Sequence, residues 1–101
     1  MKKLIFVLVC TAMISSCKKS STSFTPTCTG TAKSFTTDVL PVMLSKCTSC
    51  HSSYSTYSGV SGAKSSIRSY IIDGSMPKGG SMTDAEKNAV ICWIDNGAPN
   101  N

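Results

Sequence analysis

Five consecutive residues, Cys47-Thr48-Ser49-Cys50-His51, have the types and spacing for the most specific chemistry in this sequence. Two thiols placed in this way lie on one side of a helical turn, where both can reach the vinyl groups on one edge of a porphyrin. The histidine that follows is carried beneath the ring with an imidazole nitrogen facing iron. C-x-x-C-H is the attachment pattern of c-type haem. It predicts one haem c (iron) per chain, bound covalently through Cys47 and Cys50 and ligated by His51.

Other uses of paired cysteines fit this sequence less well. A thioredoxin-like C-x-x-C would follow a strand within a βαβ unit, and the surrounding pattern predicts neither. A structural zinc site would need a second pair of ligands, whereas His51 is the one histidine in the chain and Cys28 and Cys92 stand apart. A cluster held by disulfides alone is the remaining alternative.

The composition also favours a bound cofactor. The whole sequence holds three Phe and one Trp, and a domain of this size can build only a thin hydrophobic core from them. Small domains usually need a metal, a cofactor or disulfides to be stable. A haem would supply the missing apolar mass.

The methionines of the chain are the candidates for a sixth iron ligand. Met43 precedes Cys47 on the same predicted helix, which places it on the wrong side of the haem to act opposite the histidine. Met82 comes directly before a predicted helix, where an apolar side chain normally packs into the core. Met76 is held extended by Pro77, and the glycines around it let the backbone approach a flat ring closely. Met76 is the preferred ligand, and Met82 is the alternative.

Three predicted helices must position these residues. The first spans about residues 38–50, with Pro41 tolerated in its first turn. Its apolar face, at helical spacing, comprises Val39, Leu40, Met43, Leu44 and Cys47. Residues 52–62 mix Ser, Gly and Tyr, which indicates a loop. A short helix is predicted over about 63–72. The glycines of 74–81 indicate another loop.

The last predicted helix has the clearest boundaries. Thr83 and Glu86 form a capping box at its start, and Gly97 with Pro99 marks its end. Residues 89–94 are continuously apolar, so this helix is expected to be largely buried.

The start of the chain has the pattern of an export signal. Residues 1–3 are basic and 4–14 are apolar, a run too short to span a bilayer permanently. Ile14-Ser15-Ser16-Cys17 resembles the lipobox of bacterial lipoproteins, in which the cysteine is diacylated and begins the mature protein. The resemblance implies a signal peptide at 1–16 and a lipid anchor at Cys17, which would hold the protein stably to a membrane. An ordinary signal peptide with a chance cysteine is the alternative.

A polar segment links this anchor to the predicted domain at 35–101. Residues 17–34 are rich in Ser, Thr and Lys, and such composition is typical of a flexible tether. Cys28 lies inside it and suggests that its second half is pinned to the domain. Export implies an oxidising compartment, so a Cys28–Cys92 disulfide is expected, with two free buried thiols as the alternative.

Residues 35–101 resemble small class I-like cytochromes c, many of which are lipoproteins of the bacterial cell envelope. The matching segments are Asp38-Val39-Leu40-Pro41, Cys47 to His51, Met76-Pro77 and Trp93-Ile94-Asp95-Asn96-Gly97-Ala98-Pro99. The resemblance implies an all-α, cytochrome c-like fold of about three helices around one covalent haem, with the methionine of the Met-Pro pair, Met76, as sixth ligand. The stretch between His51 and Met76 is short, which implies a more exposed haem.

Met/His ligation suits reversible electron transfer and leaves iron no open position for a substrate. The expected function is therefore an electron carrier, not an enzyme, tethered in the cell envelope, facing the periplasm and exchanging electrons with redox partner proteins. The alternative is a haem enzyme subunit, or a gas or redox sensor, with a labile or missing sixth ligand. The net charge of +5 is spread along the chain, so nucleic acid is not an expected partner.

Overall fold

The structure is a computed structural model that describes residues 23–101. The predicted signal peptide (1–16), the predicted lipidation site Cys17 and the start of the predicted tether (17–34) lie outside these residues. Within them, every regular element is helical, which confirms the all-α class for this part of the chain. The elements are a π-helical turn at Phe35–Val39, α1 at Leu40–Lys46, a 3-10 turn at Ser52–Ser55, α2 at Tyr57–Gly62, α3 at Lys64–Asp73 and α4 at Asp84–Asp95.

The first helical segment begins earlier than the sequence predicts. The side chain of Ser34 accepts a hydrogen bond from the Thr37 N–H at 3.1 Å. The Asp38 carboxylate in turn accepts one from the Ser34 N–H at 2.8 Å. These reciprocal bonds satisfy donors that a helix start leaves free. Pro41 then lies in the first turn of α1, where its missing N–H is tolerated.

The same segment also ends earlier than predicted, because the helical hydrogen bonding stops before the cysteine motif is complete. α1 ends at Lys46, and the N–H groups of Cys50 and His51 both donate to the Cys47 carbonyl, at 3.2 and 2.8 Å. The motif therefore forms a tight turn rather than the last part of a helix. Leu44, assigned to the apolar face from its spacing, is 54% exposed.

The prediction of a loop over 52–62 is wrong, since these residues form the 3-10 turn and α2. The Thr56 hydroxyl caps α2 by accepting from the Gly59 N–H at 3.2 Å, and Val60 is fully buried. A Cβ at Gly59 would overlap the Ser53 carbonyl, so glycine lets α2 lie directly on the 3-10 turn. The described residues thus contain four α-helices where about three were expected.

Helix α3 agrees closely with the short helix predicted over 63–72. Ile67 and Ile71 are its buried residues, one helical turn apart on the same face. Arg68 forms a bidentate ion pair with Asp95, with nitrogen–oxygen distances of 2.7 and 3.1 Å, and so joins α3 to the end of α4. Gly74 ends α3 in the left-handed conformation, at φ 78°.

The capping box predicted for α4 is confirmed. The Thr83 hydroxyl accepts from the Glu86 N–H at 3.2 Å, and the Glu86 carboxylate accepts from the Thr83 N–H at 3.0 Å. This hydrogen bond from the Thr83 backbone is the main reason why the pKa of Glu86 is lowered. Gly97 follows the helix with a φ of 95°, as expected for a C-terminal glycine.

Three aromatic rings tie the N-terminal turn, α2 and α4 together. We call Phe35, Tyr57 and Trp93 the aromatic cluster; their ring centroids lie 5.5 to 6.2 Å apart. Trp93 is fully buried, and its indole N–H donates to the Pro99 carbonyl at 2.9 Å. The Tyr57 hydroxyl donates to the Ala98 carbonyl at 2.8 Å, so the polar atoms of both rings are satisfied.

The described part of the 17–34 segment is held against the helices. The Phe24 N–H donates to the Ile72 carbonyl at the end of α3 at 2.9 Å. Cys28 and Cys92 form a disulfide that joins this segment to α4. The chain is thus attached to the helices from Phe24 onward.

Candidate functional site

One open cleft collects all the residues that the sequence assigns to haem. It is partly open to solvent and has a cavity volume of about 120 Å³. Its walls come from the 47–51 turn, the 3-10 turn, α3 and the loop between α3 and α4. The predicted ligands among its lining residues are Cys47, Cys50, His51, Met76 and the alternative Met82.

The remaining lining residues are mostly apolar. They include Ile67 and Ile71 of α3, Tyr54, Tyr70 and Pro77. The charged groups at the cleft are the ammonium groups of Lys46 and Lys78, and none of its lining residues, within the described part of the chain, is acidic. A flat apolar ring that carries anionic substituents fits these walls in both polarity and charge.

The role of α3 as a wall of the cleft was not predicted. Ile67 and Ile71 stood out in the sequence only as apolar residues at helical spacing, which core packing explains equally well. Their placement beside the cysteine motif depends on how α3 packs, and no local pattern encodes that packing.

The two cysteines of the motif are free thiols in different surroundings. Cys47 is half-buried and Cys50 is exposed. Burial raises the pKa of the Cys47 thiol, so this group is protonated at neutral pH. Both residues line the same cleft, and neither takes part in a disulfide.

His51 is fixed at the edge of the cleft by its backbone and by its ring. Its N–H donates to the Cys47 carbonyl at 2.8 Å, and its own carbonyl accepts from the Tyr54 N–H at 2.9 Å. The imidazole lies against the Tyr54 ring, with centroids 4.7 Å apart and planes inclined by 15°. The histidine therefore reaches the cleft from the turn directly after the two thiols.

Two methionines reach the cleft from the segment between α3 and α4. Met76 is partly buried, and its N–H donates to the Tyr70 carbonyl at 3.3 Å. Met82 is buried just before the Thr83 cap. Met43 is fully buried in the hydrophobic core and does not line the cleft. Met76 and Met82 both remain candidates for a sixth iron ligand.

The donor set fits haem better than a bare metal ion. Within residues 23–101 there is no group of three or more His, Cys, Asp or Glu side chains that could hold a metal ion. In a haem, the porphyrin already supplies four nitrogen ligands to iron, so the protein would need to supply only the remaining ligands. One histidine, two thioethers and two thiols line the apolar cleft and fit that requirement.

Searches against protein-family models, curated proteins and solved structures found no match to this chain. The resemblance to small cytochromes c therefore stays a prediction that rests on the sequence motifs. None of the helices within residues 23–101 has the length and hydropathy needed to cross a membrane.

Proposed function

We propose that residues 35–101 form a c-type cytochrome domain that carries one electron at a time. The observation that supports this most strongly is that Cys47, Cys50, His51 and Met76 line one apolar cleft. When bound, haem iron with histidine and methionine ligands supplies reversible one-electron exchange at a raised potential.

Each of these residues has a distinct part in this proposal. Cys47 and Cys50 would hold the porphyrin covalently through their sulfurs, and His51 and Met76 would bind its iron. Ile67 and Ile71 of α3, which line the cleft, would keep water away from the bound ring. With His51 and Met76 both bound to iron, no position would be left there for a substrate, and this would favour a carrier over an enzyme.

The cell-envelope location is part of the same proposal. It is supported by the export signal and lipobox pattern of residues 1–17, and by the Cys28–Cys92 disulfide, which is stable in an oxidising compartment. A lipid anchor at Cys17 would hold the cytochrome domain at a membrane surface facing the periplasm. Its partners would be redox proteins that meet it there.

The test is expression with a working cytochrome c maturation system, followed by mass spectrometry under denaturing conditions. We expect the wild type to keep a haem mass and the Cys47→Ala/Cys50→Ala variant to lose it. The matched control is Cys28→Ala/Cys92→Ala, produced at low temperature, which also removes two cysteines but should keep the haem. A wild-type mass without haem would refute the proposal.

The reduced protein also tests the alternative of a haem enzyme or gas sensor. A carrier with two protein ligands should resist carbon monoxide. Rapid carbon monoxide binding by the wild type would instead show a labile or missing sixth ligand.

A further inference from the structure

The imidazole of His51 is covered on one face by a neighbouring aromatic ring. Tyr54 lies three positions later, at the 3-10 turn, where side chains at this spacing eclipse each other. The two rings are nearly parallel, at 15°, with centroids 4.7 Å apart. The sequence spacing and the backbone turn therefore produce the stack together.

The Tyr54 ring is itself held in place. It is partly buried and packs against the hydrophobic core, and its backbone N–H donates to the His51 carbonyl at 2.9 Å. A ring supported in this way can fix the rotation of the imidazole about its Cβ–Cγ bond.

Stacking does not compete with iron binding. The lone pair of an imidazole nitrogen lies in the plane of the ring, whereas the stack uses the face of the ring. Tyr54 can thus stay against His51 while the ring edge points into the cleft that both residues line.

Histidines that bind metals are usually oriented by a hydrogen bond from their other ring N–H. Within the described residues, no hydrogen bond of either imidazole nitrogen of His51 is found, and the ring contact is the stack with Tyr54. We propose that Tyr54 is a positioning residue that sets the plane of the His51 imidazole at iron. This inference rests on the proposed haem site.

The wild-type protein provides the first test. In the reduced haem protein, nuclear Overhauser effects should connect the ring protons of Tyr54 with those of His51. If the reduced form is paramagnetic, its carbon monoxide adduct allows the same measurement. A haem-containing protein that lacks these effects would overturn the inference, and it would do so without relying on any variant.

Two variants provide the second test, read from the proton spectrum of the ferric form. The orientations of the two iron ligands, the imidazole plane among them, determine how unpaired spin is shared among the four haem methyl groups, and so the order of their shifts. Met76 is the same in both variants. Tyr54→Phe keeps the stack and should preserve that order, whereas Tyr54→Leu should change it. An unchanged order in Tyr54→Leu would contradict the positioning role.

Failure of the inference and failure of the proposed function are distinguishable. If the wild type carries no haem mass, the proposed function itself is wrong. If it carries haem but fails either ring test, only the role of Tyr54 is wrong.

Discussion

The aromatic cluster and the cleft are built in opposite ways. In the aromatic cluster, the three rings fill the space between their helices, and the Trp93 and Tyr57 polar atoms have hydrogen-bond partners. In the cleft, the residues that carry two thiols and two thioethers line a space of about 120 Å³ that is partly open to solvent. The aromatic cluster is filled by its own side chains, whereas the cleft leaves space between apolar walls for a ligand.

The largest effect is expected in the aromatic cluster. Trp93→Ala should lower the free energy of unfolding by about 3–5 kcal/mol, because it leaves a large cavity and frees the Pro99 carbonyl. Chemical denaturation measures this loss. The control is Leu44→Ala, which removes a side chain that is 54% exposed and should change stability by about 0.5 kcal/mol or less. Similar losses in the two variants would contradict the assignment of the core.

Removing the Cys28–Cys92 disulfide should lower the stability of the fold without changing haem binding in the cleft. Replacing Cys28 and Cys92 with alanine should cost about 2–4 kcal/mol, because the cross-link restricts the unfolded chain. Denaturation of the double variant against the wild type measures the change. Its haem spectrum should stay unchanged, since neither cysteine lines the cleft. A lost or altered haem spectrum would show that the two regions are coupled.

The two methionines of the cleft should respond differently to truncation. Met76→Ala should abolish the far-red charge-transfer band of the ferric protein, allow carbon monoxide binding and lower the potential, because a weakly donating thioether favours ferrous iron. Met82→Ala should keep the spectrum and cost about 2 kcal/mol of stability, since its side chain is buried beside a helix start. The reverse pattern would identify Met82 as the ligand.

The smallest effect concerns the capping box. The pKa of Glu86 is lowered from its ordinary value of 4.5, so its ionised form stabilises the fold above that pH. This contribution should be lost as the pH falls below about 4.5 through the folded-state pKa. Glu86→Gln should therefore show a shallower loss of stability over this acid range, measured by thermal unfolding. Equal slopes for the two proteins would contradict the prediction.

Features encoded by nearby residues could be predicted from the sequence. The capping box of Thr83 and Glu86 depends on residues within one turn, and α3 shows clear helical spacing. Cys47, Cys50 and His51 do line one cleft, but the haem chemistry that their spacing indicates stays a prediction.

Features that depend on tertiary packing were missed. Helix α2 has a Ser- and Gly-rich sequence without periodicity, and the burial of Val60 and its contact with the 3-10 turn stabilise it. The sequence predicts too long a first helix, because Cys47 continues the apolar spacing of Val39 and Met43, although the backbone turns there. Ile67 and Ile71 of α3 line the cleft because α3 packs against segments that are distant in sequence.

The attachment of residues 24–28 has a mechanical consequence. The segment is fixed to α3 through Phe24 and to α4 through Cys28, with a further hydrogen bond from the Thr27 N–H to the Asn88 side chain at 2.9 Å. None of these residues lines the cleft. A force applied to the N-terminal end of the chain would therefore be borne by a covalent bond to α4, on a path that bypasses the thiols, the histidine and the methionines.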